Sequence, residues 1–253
     1  MIFKYLFDRL VSFLGILCLW WIYPVVALLI KIKMPGPVLF VQNRVGKDGK
    51  IFKCHKFRSM TVAPKENANS DSNANTNQNS NANQNSNQNA NQNSNSNSNA
   101  NGWSSVSVAG EARITPLGAK LRKYKIDELP ELWDVLIGNM SFVGPRPDVP
   151  GYADKLQGDD RVVLKLRPGI TGPATLKYRD EEEQIAAYVE KKQQEGDNRS
   201  TQEIAVEYND TVIYPDKVRL NKYYYEHYSF VKDIQMIFAT VLGFKVKFGE
   251  EVV

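Results

Sequence analysis

Residues 10–30 form an uncharged, mainly apolar run that must find an apolar environment of its own, and this constrains the fold before any other feature does. At about 21 residues it is close to the length of one bilayer crossing. A straight crossing concentrates Lys and Arg on one side, whereas here Lys4 and Arg9 precede the run and Lys31 and Lys33 follow it, so both ends read as cytoplasmic. Pro24 lies two-thirds along, where it removes a backbone hydrogen bond and favours a kink. The pattern predicts a helix that enters the membrane, bends at Tyr23-Pro24 and returns to the same face; an ordinary kinked transmembrane helix is the alternative. A cleaved signal peptide is disfavoured, because no small-residue cleavage site follows the run.

Residues 67–101 are almost entirely Asn, Ser, Gln and Ala, with Asp71 the only charge. Such a segment has too little apolar surface to offset its ordering entropy, and it reads as a disordered insertion, a tolerated loop expansion. The net charge of +4 and pI of about 8.8 suit an anionic substrate or a membrane surface. Nucleic acid is not favoured as a partner, since the basic residues sit in short motifs separated by apolar runs. Cys18 lies in the apolar segment and Cys54 in a strand-like stretch, which argues against a disulfide. Two Cys and two His, far apart, argue against zinc.

The chemistry concentrates in residues 127–147. Asp127 occupies an N-cap-like position, Pro130 suits a first helical turn, and Leu129, Leu132, Val135 and Leu136 supply a helical apolar stripe. Capping alone explains one acid at such a place. The surrounding cations, Arg122, Lys123 and Lys125 before the pair Asp127-Glu128 and Arg146 in a Gly-Pro-Arg-Pro turn after it, point instead to phosphate chemistry.

Upstream, residues 38–41 read as a short strand, residues 42–50 as a polar hairpin-like connection, and residues 51–60 as a second strand. Its period of two places Lys56 and Arg58 on one face, either as charge protection of an edge or as a pair of phosphate ligands. A short helix at residues 119–124 carries Arg122. Residues 152–166 predict a helix, residues 167–173 a rigid loop containing Arg167, and Arg179 follows in a strand or turn. Residues 181–194 read as a charged surface helix. In residues 229–244, Phe230, Ile234, Ile237, Phe238, Val241 and Leu242 mark one helical face. Core packing is the commoner reason for such a stripe, and an in-plane interfacial helix competes with it beside a membrane segment.

Taken in order, Lys4 with Asp8-Arg9, the run containing Pro24, Pro35-Gly36-Pro37-Val38, Gln42-Asn43-Arg44, Lys56-Phe57-Arg58-Ser59-Met60, Asp127-Glu128-Leu129-Pro130-Glu131-Leu132, Gly144-Pro145-Arg146-Pro147 and Arg167-Pro168-Gly169-Ile170-Thr171-Gly172 resemble the bacterial sugar transferase family, the monotopic phosphoglycosyl transferases. The match covers nearly all of the chain except the Asn-rich insertion. The resemblance implies an α+β architecture: a re-entrant membrane helix (1–33), a small, mostly helical catalytic domain with a short β-hairpin and interfacial amphipathic helices (34–66 and 102–253), and the insertion (67–101). It implies a bacterial inner-membrane enzyme facing the cytoplasm that moves a sugar phosphate from a UDP-sugar to undecaprenyl (polyprenyl) phosphate and releases UMP. This would be the first membrane step of glycan assembly, with membrane lipid and downstream glycosyltransferases as partners.

In the implied two-step route Asp127 is the nucleophile, Asp127 and Glu128 hold Mg²⁺, and Lys56, Arg58, Arg122 and Arg146 neutralise phosphates, with Arg167 and Arg179 as further substrate ligands. Two departures stand out. Pro173-Ala174-Thr175 replaces the usual Trp-Ala-Gln, which bears on nucleotide-sugar preference, and Tyr23 stands before Pro24 where Ser is frequent. A catalytically silent recruiter of glycosyltransferases and a peripheral lipid-binding protein are the competing readings; neither accounts for the intact acid pair with Arg122.

Overall fold

The computed structural model describes residues 1–61, 106 and 113–253; the Asn-rich tract at 67–101 lies outside the described residues. The N-terminal apolar segment forms α1 (Ile2–Leu19) and α2 (Ile22–Lys33), bent by 63°. No single described helix is long and apolar enough to cross a membrane, although the bent pair together has the length and composition. The break falls at Trp20 and Trp21 rather than at Tyr23-Pro24, and Pro24 sits in the first turn of α2. The reason is local: proline lacks the N–H that would reach back four residues, and its ring crowds that same carbonyl, so the disruption lands on the preceding turn. The Tyr23 hydroxyl takes no part in the break; it donates to Leu129 O at 2.9 Å.

Helix α1 faces the rest of the chain with polar groups. Lys4, Asp8 and Ser12, spaced one turn apart, are all buried. Lys4 Nζ lies 2.8 Å from Asp233, Ser141 Oγ donates to Asp8 at 2.6 Å, and Ser12 Oγ donates to Leu132 O at 2.5 Å. Phe3, Leu6, Leu10, Leu14 and Leu17 are exposed on the outside, as are Leu28 and Ile32 of α2. A contiguous apolar surface of this kind marks a membrane or protein contact.

The hairpin consists of β1 (Leu39–Val45) and β2 (Ile51–Phe57), antiparallel from Leu39↔Phe57 to Val45↔Ile51. Residues 42–45 thus belong to the strand and not to a connection: the turn is confined to Lys47–Gly49, where Asp48 (φ 58°) and Gly49 (φ 76°) are left-handed. Helix α3 (Pro116–Lys123), capped by Thr115 Oγ1 accepting from Gly118 N at 2.9 Å, leads to a 3-10 turn at Ile126–Glu128 and to α4 (Glu131–Ile137).

Two parallel three-residue strands, β3 (Ser141–Val143) and β4 (Gly169–Thr171), then zip the Gly-Pro-Arg-Pro and Arg-Pro-Gly segments together. A Cβ on Gly169 would sit 2.2 Å from the backbone nitrogen of Gly144, which explains why glycine is required there. Residues 152–166 do not form one helix: Gly158, at φ 56°, separates 3-10 turns at Ala153–Lys155 and Gly158–Lys165.

Helices α5 (Pro173–Lys177), α6 (Glu181–Gln194), α7 (Thr201–Tyr208), α8 (Tyr214–Glu226) and α9 (Phe230–Leu242), with the small ladder β5 (Lys247–Phe248)/β6 (Glu251–Val252), complete the described fold. A capping box between Ser200 and Glu203 starts α7, and a π-turn at Asn209–Ile213 joins it to α8. The main core gathers Val143, Leu166, Leu220, Tyr224, Met236 and Phe248. A separate cluster of Ile185, Val189, Ile204, Ala205 and Ile213 anchors α6, which is therefore more than surface decoration.

Helix α9 turns Asp233, Met236 and Ala239 inward and leaves Phe238, Val241 and Leu242 exposed, so much of its apolar stripe does not pack in the core. Asp233 is drawn inside because it neutralises Lys4 and accepts from Tyr224 Oη at 2.5 Å. Mixed helix and short strand, with a hairpin at β1 and β2, is the architecture the motifs imply.

Candidate active site

Lys125, at φ 54°, reverses the chain after α3. A left-handed conformation at a residue with a β-carbon costs of order 1 kcal/mol, and such strain gathers at functional sites. It presents Asp127 and Glu128 in the 3-10 turn, three residues before α4 begins, and Pro130 takes the cap position. Asp127 therefore caps no helix. Its Oδ1 is buried without a hydrogen-bond partner. Burial, and then the Glu128 charge, raise its carboxyl above the ordinary range against the pull of Lys56, Arg122 and Lys125. A helix start does not hold it as an anion; the nearby cations do so in part.

Glu128 differs. Its Oε1 accepts from Lys56 Nζ at 3.0 Å and Arg146 Nη2 at 2.7 Å. Burial opposes its ionisation, but Arg146 and Lys56 outweigh burial and hold the carboxyl well below the usual range. Arg146 is raised in turn, chiefly by Glu128.

Glu131, which motif reasoning leaves without a role, is only 1% exposed and lies 3.0 Å from the same Lys56 Nζ. The signal was available: three acids at positions 127, 128 and 131 face one strand cation. Burial first, and then Glu128, raise Glu131 despite Lys56. Burial likewise opposes the charge on Lys56, but its two glutamates raise its proton affinity on balance.

Around this centre, Asp134 is fully buried and accepts from His55 N at 2.9 Å, with His55 Nδ1 also 2.9 Å away. The Cys54 thiol, 3.5 Å from Glu131, is pushed by burial up to about 12 and is not a nucleophile at neutral pH. Cys18 and Cys54 are both free.

The other candidate cations divide. Arg122 pairs with Glu182 of α6. Arg58 lies beyond the end of β2; its guanidinium donates to Pro35 O at 2.7 Å and to Met34 O, closing the orphan carbonyl end of α2 instead of joining Lys56. Arg167 stacks on the Tyr5 ring of α1 at 4.0 Å. Arg179 donates to Ala239 O of α9 at 2.9 Å. The contacts thus gather Glu128, Glu131, Lys56 and Arg146, with Asp127 next to Glu128 and under the charges of Lys56 and Arg122, while Arg58, Arg167 and Arg179 tie neighbouring segments to the N- and C-terminal helices. In the departing loop, Pro173 and Ala174 are buried at the start of α5, and Thr175 Oγ1 is buried without a partner.

Among the described residues no group of three or more His, Cys, Asp or Glu is arranged for a metal ion. The unpartnered Asp127 Oδ1 beside Glu128 nonetheless fits Mg²⁺, an ion that retains water and takes one or two carboxylates with substrate phosphates.

The family model described as "Bacterial sugar transferase" matches residues 1–246. The chain is 30% identical over 88% of its length to the UDP-N-acetylgalactosamine-undecaprenyl-phosphate N-acetylgalactosaminephosphotransferase of Aeromonas hydrophila, and 31% identical over 70% to the UDP-glucose:undecaprenyl-phosphate glucose-1-phosphate transferase of Klebsiella pneumoniae. These matches span only 39% and 31% of those longer proteins. The exopolysaccharide production protein PSS of Rhizobium leguminosarum bv. phaseoli, 32% identical over 70% of the chain, is matched over 74% of its own length. With a family model that matches residues 1–246, nearly its full length, this chain belongs to the bacterial sugar transferase family.

Proposed function

We propose that the protein transfers a sugar phosphate from a UDP-sugar to undecaprenyl phosphate and releases UMP, the first membrane step in assembling a surface or exported glycan. The observation that carries this reading is the buried, unpartnered Asp127 oxygen beside a cluster of fixed cations. In the first step an Asp127 carboxylate oxygen attacks the phosphorus that bears the sugar, the bond to the UMP oxygen breaks, and UMP departs with that electron pair. In the second, an oxygen of undecaprenyl phosphate attacks the same phosphorus and the Asp127 carboxylate leaves. Splitting the transfer lets two bulky substrates use one site in turn.

Each residue has a distinct task. Glu128 and Glu131 hold Lys56, and Glu128 holds Arg146, so that these cations meet the substrate phosphates already oriented; phosphoryl transfer depends mainly on such positioning and charge stabilisation. Arg122 adds a third cation. Mg²⁺ bound by Asp127 and Glu128 would supply further neutralisation of the diphosphate. The apolar outer face of α1 and α2, bent by 63° and flanked by cations at both ends, supports a monotopic re-entrant seat in the inner membrane with the site on the cytoplasmic face. Membrane lipid and downstream glycosyltransferases complete the proposed partners.

The test is UMP release from a panel of UDP-sugars mixed with the protein, Mg²⁺ and undecaprenyl phosphate. Asp127→Asn is expected to lose about 10³-fold or more in rate, as removal of a nucleophile does. Wild-type activity in that variant would sink the nucleophile assignment.

A further inference from the structure

The cations of the site are held in two different ways. Lys56 and Arg146 are fixed by Glu128, which is buried. Arg122 is held by Glu182, and that pair is partly open to solvent, with the two side chains 25% and 31% exposed. The neighbouring Glu181 is clamped by Lys217 at 2.7 Å and acts on Arg146 through its charge, while Glu183 is exposed. The first turn of α6 thus lays negative charge toward two arginines that the proposed reaction gives to phosphates. Helix α6 is seated by Ile185 and Val189 in its own apolar cluster, so Glu182 keeps its place when its partner is taken away.

We infer that Glu182 is a specificity-determining residue that occupies Arg122 when no nucleotide is bound and releases it in favour of a diphosphate. This rests on the proposed use of Arg122 as a phosphate ligand. A pair at this exposure is weak enough to be displaced: it costs an incoming ligand a factor of about five in affinity. A diphosphate, with the larger charge and more acceptor oxygens, overcomes that competition better than the monophosphate of UMP. After transfer, Glu182 reclaims Arg122 and speeds release of UMP.

The experiment is calorimetric titration of UDP and UMP into the full chain in lipid nanodiscs, with no acceptor present, for the wild type, Glu182→Gln, Glu183→Gln, Arg122→Ala and Glu182→Gln/Arg122→Ala. Glu182→Gln should bind UDP about five-fold tighter than the wild type and UMP tighter by at least the same factor. Glu183→Gln, with the same change in charge on the same helix, should stay within two-fold of the wild type. The gain should vanish on the Arg122→Ala background. Equal effects of Glu182→Gln and Glu183→Gln, a gain that persists without Arg122, or no UDP binding by either wild type or Glu182→Gln would each overturn the inference. Because binding is read without turnover, failure of every UDP-sugar to yield UMP would remove the transfer reading while leaving these titrations decisive for Glu182.

Discussion

Glu128 and Glu131 share the single ammonium of Lys56, and this sharing shows what sequence motifs reveal and what they hide. Motif spacing exposes Asp127, Glu128 and Arg146, because acids beside a turn and an arginine between prolines are local features. It hides which cation meets which acid, since that depends on the hairpin lying across the acid turn. Arg58 illustrates the point: two residues from Lys56 on the same strand face by count, it is claimed by the carbonyls at the end of α2.

Asp148 gives a testable consequence at this scale. Burial pushes its carboxyl up to about 6, against Lys217, Arg44 and a Tyr214 Oη bond of 3.3 Å. The folded chain holds this proton more tightly than the unfolded chain does. Its contribution to stability is therefore full below about pH 4 and lost as pH rises through about 6, an effect on the order of 3 kcal/mol. Asp148→Asn should flatten the thermal stability profile between those pH values; an unchanged slope would mean that Asp148 does not titrate as its burial requires.

Among elements, the bend between α1 and α2 follows from Pro24 acting on the turn before it. Pro24→Ala restores the missing N–H and removes the ring, and should join the two helices into one span long enough to cross a bilayer. The check is a Met1→Cys reporter in a Cys18→Ala background, challenged with an impermeant maleimide from the periplasmic side of spheroplasts. Labelling should rise from background in the native-proline chain to a clear fraction with Pro24→Ala; equal labelling would mean that the proline does not set the bend.

The amphipathic stripe of α9 teaches a related lesson. Periodicity marked its apolar side correctly, but not that Asp233 on the other side would be the buried one, because the cause, Lys4, is distant in sequence. The 3-10 turns near residues 153–165 were illegible for a different reason: their composition is helical, and one left-handed Gly158 interrupts them.

At the scale of the molecule, the buried pair of Lys4 and Asp233 binds the first helix to α9. Asp233→Ala leaves the ammonium buried and unpaired and should cost about 3–5 kcal/mol, whereas Lys4→Met/Asp233→Leu, which removes both charges, should recover most of that loss. Thermal unfolding in nanodiscs distinguishes the two. If the double variant is no more stable than Asp233→Ala, the pair does not act as a unit.

The same pair sets an order of events during synthesis. Lys4 leaves the ribosome 229 residues ahead of its partner, so at about 5–20 residues per second the ammonium waits roughly 10 to 50 seconds for its counterion. Through that interval the seam docks only in part, because Ser12 and Asp8 meet Leu132 O and Ser141 well before Lys4 meets Asp233. The Lys4 end of the helix therefore stays wet until the arrival of α9 closes the pair.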